Sequence, residues 1–170
     1  MNKKFLQQLR DKDKLRILFV CLGNICRSPA AQGVMQSLID DKGLQGVIEV
    51  DSAGTYSGHQ GELPDRRMRV HARQRGYELT HRSRPIRESD FDRFDLILTM
   101  DAQNLYNVRQ MAPTVEDSQK VVSMADFCRQ NHRFDYIPDP YYEGSEGFEL
   151  VLDMLEDACE GLLDTISNSK

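Results

Sequence analysis

The chain has 170 residues, of which 39% are hydrophobic and 29% charged. That length fits one compact domain of common size with a short appendage, able to bury roughly 70% of its unfolded surface without disulfide or metal staples. The balance excludes collagen-like, mucin-like and wholly disordered chains. The net charge of −5 argues against general nucleic-acid binding, but it is unevenly spread. Residues 1–16 hold six Lys/Arg against two Asp, residues 66–87 eight Arg against one Glu, and residues 135–164 ten Asp/Glu and no Lys or Arg.

No apolar run nears the ~20 residues a membrane-spanning helix requires. The longest, Leu15–Leu22 and Leu96–Met100, are interrupted by charged or turn residues. The opening MNKKFLQQLRDKDK lacks a signal peptide's apolar centre. These features predict a cytoplasmic protein with no membrane partner, whose four cysteines (Cys21, Cys26, Cys128, Cys159) are thiols.

In chain order, residues 1–13 read as a basic N-terminal extension, a mobile tail to a domain over residues 14–168. Four β-rich runs follow, Leu15–Val20, Val47–Val50, Asp95–Thr99 and Lys120–Ser123. They are dense in Val, Ile and Leu rather than alternating, as strands buried on both faces are. Ala31, Val34, Met35 and Leu38 fall on one helical face. So do Phe148, Val151, Leu152, Leu155, Cys159, Leu162, Leu163 and Ile166. Residues 65–75 and 102–111 read as further helices. Alternating strands and helices imply an open parallel sheet covered on both faces. In such sheets ligands bind beyond the carboxyl ends of the strands, which directs attention to the first strand-to-helix junction.

That junction reads Cys21-Leu22-Gly23-Asn24-Ile25-Cys26-Arg27-Ser28-Pro29. Ser28 suits an N-cap and Pro29 a first helical position. Gly23 and Asn24 tolerate positive φ, so the segment can curl and turn successive N–H groups toward one centre. Such a concave array on a helix N-terminus suits phosphate. Thiols in such fields ionise at pKa values of ~3.5–7.5 instead of ~8.5, which makes Cys21 a candidate nucleophile. The planar fork of Arg27 can hold two oxygens of a phosphoryl group. Ser28 can donate to the sulfur and help it leave. A zinc site is disfavoured, because Cys21 and Cys26 are five apart and no partner pair follows.

At these residues the sequence resembles the low-molecular-weight protein tyrosine phosphatases. VCLGNICRSP matches their phosphate-binding signature, and further matches fall at Asp51-Ser52-Ala53-Gly54-Thr55, at Asp101 and at Pro138-Asp139-Pro140-Tyr141-Tyr142. The likeness spans about residues 15–167. It implies an α/β fold with an open, mainly parallel four-stranded sheet of flavodoxin-like order 2-1-3-4 and helices on both faces. It also implies Cys21 as nucleophile, Arg27 as phosphate clamp, Ser28 as thiolate stabiliser and Asp139 as general acid and base. Leu22, Gly23, Asn24, Ile25 and Cys26 would line the phosphate, with Ser52 helping Asn24 hold the curl and Tyr141 and Tyr142 bordering the pocket. No metal and no cofactor is implied. The partners would be phosphotyrosine-containing proteins, with phosphate and other oxyanions as inhibitors and no nucleic acid.

Asp139 is also reasonable on chemical grounds, since phenolate leaves poorly unless protonated and the flanking prolines can hold a carboxyl over a cleft. Several positions depart from the family. The Asp51–Gly61 loop carries Tyr56 and His59, whereas many relatives place an aromatic two or three residues further on. His59 reads as a solvated loop residue. Arg75 stands where relatives can carry a network histidine, so that role is not transferred. Sister arsenate reductases use extra cysteines about seven apart, which are missing here, and arginine phosphatases carry Thr at the position of Ile25. Cys26 is either the partner of a reversible disulfide, as in relatives, or a loop-packing residue. The Arg-rich stretch reads as a solvated helix face, or as a partner for acidic groups of another protein or of the chain's own C-terminal part. A binding or redox-sensing module that does little chemistry is the alternative, against which the pair Cys21 and Asp139 argues.

Overall fold

The computed structural model describes residues 1–140 and 144–167. Its elements are α1 (Lys3–Arg10), β1 (Leu15–Cys21), α2 (Arg27–Asp41), β2 (Ile48–Gly54), α3 (Arg66–Gln74), α4 (Asp90–Arg93), β3 (Leu96–Thr99), α5 (Ala102–Met111), α6 (Val115–Gln119), β4 (Val121–Ser123), a 3₁₀ turn (Met124–Phe127) and α7 (Ser145–Ser167). The four strands form one sheet in the order β2-β1-β3-β4, and every pairing is parallel. This is the order and class the sequence led us to expect.

β1 is central, and every residue of it except Arg16 is buried. Its alternate side chains feed two cores. Ile17, Phe19 and Cys21 pack with α2 and α7 on one face. Leu18 and Val20 pack with Phe91, Phe94, Ile97, Val108 and Val121 on the other. All eight residues of the expected α7 stripe are buried. Beyond its first turn, α2 buries Ala30, Ala31, Val34, Met35 and Ile39, while Leu38 only flanks the core.

Three expectations are corrected. β2 does not stop at Val50 but runs on to Gly54, pairing Leu18↔Asp51, Phe19↔Ser52, Val20↔Ala53 and Cys21↔Gly54. Asp, Ser and Gly are poor strand formers, yet the ordered main chain of β1 supplies their hydrogen-bond partners. Residues 3–10 are not a mobile tail but a helix, N-capped by the Asn2 side chain. Leu9 is buried in the main core, and Arg10 Nε donates to Thr165 O of α7 at 2.9 Å. Third, Ser28 does not cap α2. The helix starts two residues earlier than that, at Arg27 after Cys26, with no side-chain cap, and the Ser28 hydroxyl is used elsewhere.

Candidate active site

The β1–α2 loop is held from outside by its carbonyl groups. Cys21 O accepts from Thr55 N (3.0 Å), Leu22 O from Tyr56 N (2.9 Å) and Ile25 O from Asp65 N (2.6 Å). Gly23 O accepts from the Ser83 hydroxyl at 2.9 Å. In a planar trans peptide the N–H points opposite to the C=O. Fixing four carbonyls outward therefore turns the following amides, those of Leu22, Gly23, Asn24 and Cys26, toward the concave side. Gly54 permits this packing, since a Cβ there would lie 2.7 Å from Leu22 O and 3.0 Å from Asn24 N.

Asn24 is the keystone of the curl. It is fully buried and adopts φ 56°, the left-handed conformation expected of it. Gly23, expected to share that conformation, is not among the positive-φ glycines. The Asn24 side chain uses its full hydrogen-bonding capacity. Its amide donates to Ser28 Oγ at 2.7 Å and Ser52 Oγ at 3.0 Å. Its Oδ1 accepts from Arg84 N at 3.0 Å and from His81 Nε2 at 3.0 Å.

The directions of these bonds fix the protons. The Arg84 main-chain N–H can only donate, so the atom facing it is Asn24 Oδ1, and His81 carries its proton on Nε2. Ser28 Oγ receives from Asn24, which leaves its own proton for Cys21 Sγ at 3.0 Å or, at the longer distance of 3.5 Å, for Ala53 O. Ser52 Oγ likewise passes its proton to Gln32 Oε1 at 2.6 Å. The network histidine is thus His81, which the sequence did not single out. Burial holds His81 below its ordinary pKa, with Arg84 acting in the same direction and Asp51 opposing it. Arg75, at the position considered for this role, instead contacts Glu149, Asp153 and Glu156 of α7. Part of the Arg-rich stretch therefore pairs with the chain's own acidic helix.

Arg27 is buried behind the loop. Its Nη1 donates to Asp101 Oδ2 at 2.7 Å and to Ile137 O at 3.0 Å, and its Nη2 lies 3.6 Å from Asp139 Oδ2. Burial alone would lower its pKa, but Cys21, Asp101 and Asp139 more than offset that and hold it above the ordinary value. Asp101 is also the N-cap of α5, accepting from Asn104 N at 2.8 Å. The same carboxylate therefore ends β3's crossover and aims the guanidinium, a role the sequence flagged only as a family-like position. Ile137 N donates to Met100 O at 2.7 Å. That bond pins the segment leading to Asp139 to the end of β3, so Asp139 and Arg27 share one support.

A pocket of about 230 Å³ opens over the loop, lined by Cys21, Leu22, Gly23, Ile25, Cys26, Arg27, Tyr56, His59 and Asp139. Of the expected site residues, Cys21, Arg27 and Asp139 converge here, while Ser28, Asn24 and Ser52 support the floor. Tyr141 and Tyr142 lie outside the described residues. His59 is more than a solvated loop residue: its Nδ1 lies 2.8 Å from Glu62 Oε2, and it lines the pocket.

Among the described residues no group of three or more His, Cys, Asp and Glu side chains is placed to hold a metal ion. The remaining thiols are protonated by their surroundings. Burial, then Asp65, Cys21 and Asp139, drive the Cys26 pKa far up against Arg27. Burial does the same to Cys159, and burial with Asp157 pushes Cys128 up to about 11.

A sulfur at the floor of an amide-lined loop, backed by a buried arginine and overlooked by a carboxylate, on an open parallel sheet, defines the cysteine-dependent phosphatase class. Residues 16–170 match the family described as low molecular weight phosphotyrosine protein phosphatase. A Synechocystis protein provisionally named a low molecular weight protein-tyrosine-phosphatase is 47% identical over 152 residues, covering 89% of this chain and 96% of that protein. A Streptomyces coelicolor low molecular weight protein-tyrosine-phosphatase is 42% identical, covering 89% and 93%. The crystal structure of an Entamoeba histolytica protein tyrosine phosphatase with Hepes in the active site superposes with a TM-score of 0.88 at 45% identity, covering 92% of this chain and 99% of that one. The chain belongs to the low molecular weight phosphotyrosine protein phosphatase family, and with it to the enzyme class of protein tyrosine phosphatases.

Proposed function

We propose that this chain hydrolyses phosphotyrosine in proteins through a phosphocysteine formed on Cys21. Cys21 Sγ attacks phosphorus, forming the S–P bond as the bond from phosphorus to the phenolic oxygen breaks. Asp139 donates its proton to that departing oxygen. In the second step Asp139 takes a proton from water, the water oxygen bonds to phosphorus, and the S–P bond breaks to release inorganic phosphate. The loop amides and Arg27 carry the charge on the transferring group in both steps, so the positive field comes from the protein itself. Ser28, with its proton directed at sulfur, eases the departure of Cys21 in the second step.

The observation that carries this reading is the convergence of Cys21, Arg27 and Asp139 on one pocket, with Arg27 anchored by Asp101. The apolar Ile25 beside the floor suits a flat phenyl ring. Phosphate and other oxyanions would bind the same cradle as inhibitors. A site in the cytoplasm, with neither nucleic acid nor membrane as partner, completes the proposal. No helix among the described residues is long and apolar enough to cross a membrane. The test is turnover of phosphotyrosine, phosphoserine and phosphoarginine substrates by the reduced protein and by Cys21→Ser. Phosphotyrosine should be preferred, and Cys21→Ser should lose on the order of 10⁴-fold or more in kcat while still binding phosphate. Full activity in Cys21→Ser, or a requirement for added metal, overturns the mechanism.

A further inference from the structure

We propose that three arginines beside the pocket, Arg66, Arg69 and Arg82, form a docking shoulder for acidic residues that flank the phosphotyrosine of a substrate protein. The proposal rests on the phosphatase reading above and names the kind of peptide that the site selects. Residues 66–87 hold eight arginines, which fall into two groups. Four are neutralised within the chain: Arg67 by Asp65, Arg73 by Glu78, Arg75 by carboxylates of α7, and Arg84 by Asp51 and Asp90. Among the described residues no carboxylate pairs with the side chains of Arg66, Arg69, Arg82 or Arg87. In a chain with 27 acidic residues against 22 Lys and Arg, uncancelled positive charge gathered at one place is complementary to negative charge on a partner.

Three of these four arginines meet at the turn Gly61–Asp65. Arg69 Nε donates to Pro64 O and Arg82 Nη1 to Gly61 O, each at 2.9 Å, and Arg66 follows the turn directly as the first residue of α3. A bond to a neutral carbonyl uses one of a guanidinium's five N–H groups and leaves its charge unopposed. It also holds the side chain in place, so that less freedom is lost when a carboxylate binds. The acids of the turn are already engaged. Glu62 Oε2 lies 2.8 Å from His59 Nδ1, and Asp65 caps α3 and pairs with Arg67. Leu63 of the turn and Val70, one helical turn after Arg66, are exposed and add apolar surface beside the charges. The turn is tied to the phosphate loop at both ends. Asp65 N donates to the main-chain oxygen of Ile25, a residue that lines the pocket. Gly61 N donates to Ser83 O, and the Ser83 hydroxyl donates to Gly23 O. A substrate whose phosphoryl group sits on the loop therefore brings the neighbours of its phosphotyrosine, about 3.3–3.6 Å apart in an extended chain, to this shoulder.

The experiment compares two phosphotyrosine peptides, one with Asp and Glu around the phosphotyrosine and one with Asn and Gln in their place. Their affinities are measured for the full chain carrying Cys21→Ser, which leaves both peptides intact. This protein should prefer the acidic peptide about three- to tenfold at low salt, the scale of two or three exposed ion pairs, and the preference should fade as salt is raised. Adding Arg69→Gln and Arg82→Gln should reduce it to less than about twofold. Adding Arg69→Lys and Arg82→Lys instead keeps the charge and should keep at least half of the preference. Lys3→Gln with Lys4→Gln removes as much charge from α1, remote from the pocket, and should leave the preference unchanged. No acidic preference, a preference that survives the two Gln substitutions at 69 and 82, or an equal loss in the Lys pair or the α1 pair overturns the proposal. Hydrolysis of free phosphotyrosine by the unmodified protein is scored separately. Its absence would refute the phosphatase reading without touching the ratio of affinities.

Discussion

The floor of the pocket and its rim are built by opposite rules. On the floor, Asn24, Arg27 and Ser28 are almost wholly buried, and each is hydrogen-bonded to partners from the loop itself, β1, β2, the N-cap of α5, Ile137 or the 81–84 segment. On the rim, Leu22 and Tyr56 stand half in water, and the Asp139 side chain is 40% exposed. Buried polar groups are tolerable only when satisfied, so the floor is rigid by necessity and has one geometry before any ligand arrives. The rim leaves apolar surface uncovered, which a bound aryl group would bury. Stability and turnover should therefore separate in variants of the rim and move together in variants of the floor.

With the nucleophile kept, the largest expected effect is on the rim. Asp139→Ala should lower kcat for phosphotyrosine by ~10²–10⁴, with a smaller loss on 4-nitrophenyl phosphate, whose leaving group needs less help. Its thermal midpoint should stay near that of the unmodified protein. A loss equal for both substrates would remove Asp139 from the role of proton donor.

Next comes a support of the floor. Asp101→Asn keeps the shape but weakens the hold on Arg27, and a misplaced clamp costs about 10²-fold in kcat. Because Asp101 pairs with the buried Arg27 charge, this variant should lower the melting temperature too. Reduced turnover with unchanged stability would show that floor and rim do not differ as argued.

A smaller effect is the pH dependence carried by His81. Its folded pKa lies below the unfolded value, so below about pH 6.5 the unfolded chain binds the proton more readily than the native one. Stability contributed by neutral His81 is thus present above that pH and is lost as pH falls toward the folded value. Urea midpoints measured from pH 7.5 downward should decline through this window, and His81→Asn should flatten the decline. A steeper decline in the variant would reverse the sign assigned to the site.

The smallest effect on turnover belongs to α1, remote from both regions. Leu9→Ala should cost about 2–3 kcal/mol of stability through a buried cavity while leaving kcat within a factor of about two. Urea unfolding at fixed kcat checks it. An unchanged unfolding midpoint would mean that α1 is the tail its charge suggested.

Much of this protein was written locally. The continuous hydrophobic run of β1, the eight-residue stripe of α7 and the Cys21–Pro29 junction carry their meaning in consecutive or periodic residues, because burial on two faces, a helical period and a curled loop are each properties of one segment. Cys21 and Arg27 could be singled out as candidates for the same reason, and Asp139 through the resemblance that the junction carries. What only the tertiary structure decided depends on groups far apart in the chain. Ser28 abandons the helix cap because Cys21 and Asn24 claim its hydroxyl. β2 continues through Asp51–Gly54 because β1 offers it partners, and residues 3–10 become a helix because α7 offers Leu9 a place to be buried. His81 and Asp101 matter through single hydrogen bonds to residues 57 and 74 positions away, and no local pattern encodes such a contact. Tyr56 comes to line the pocket with its phenol over Gly58, a steric fact that exists once the loop is folded and not before.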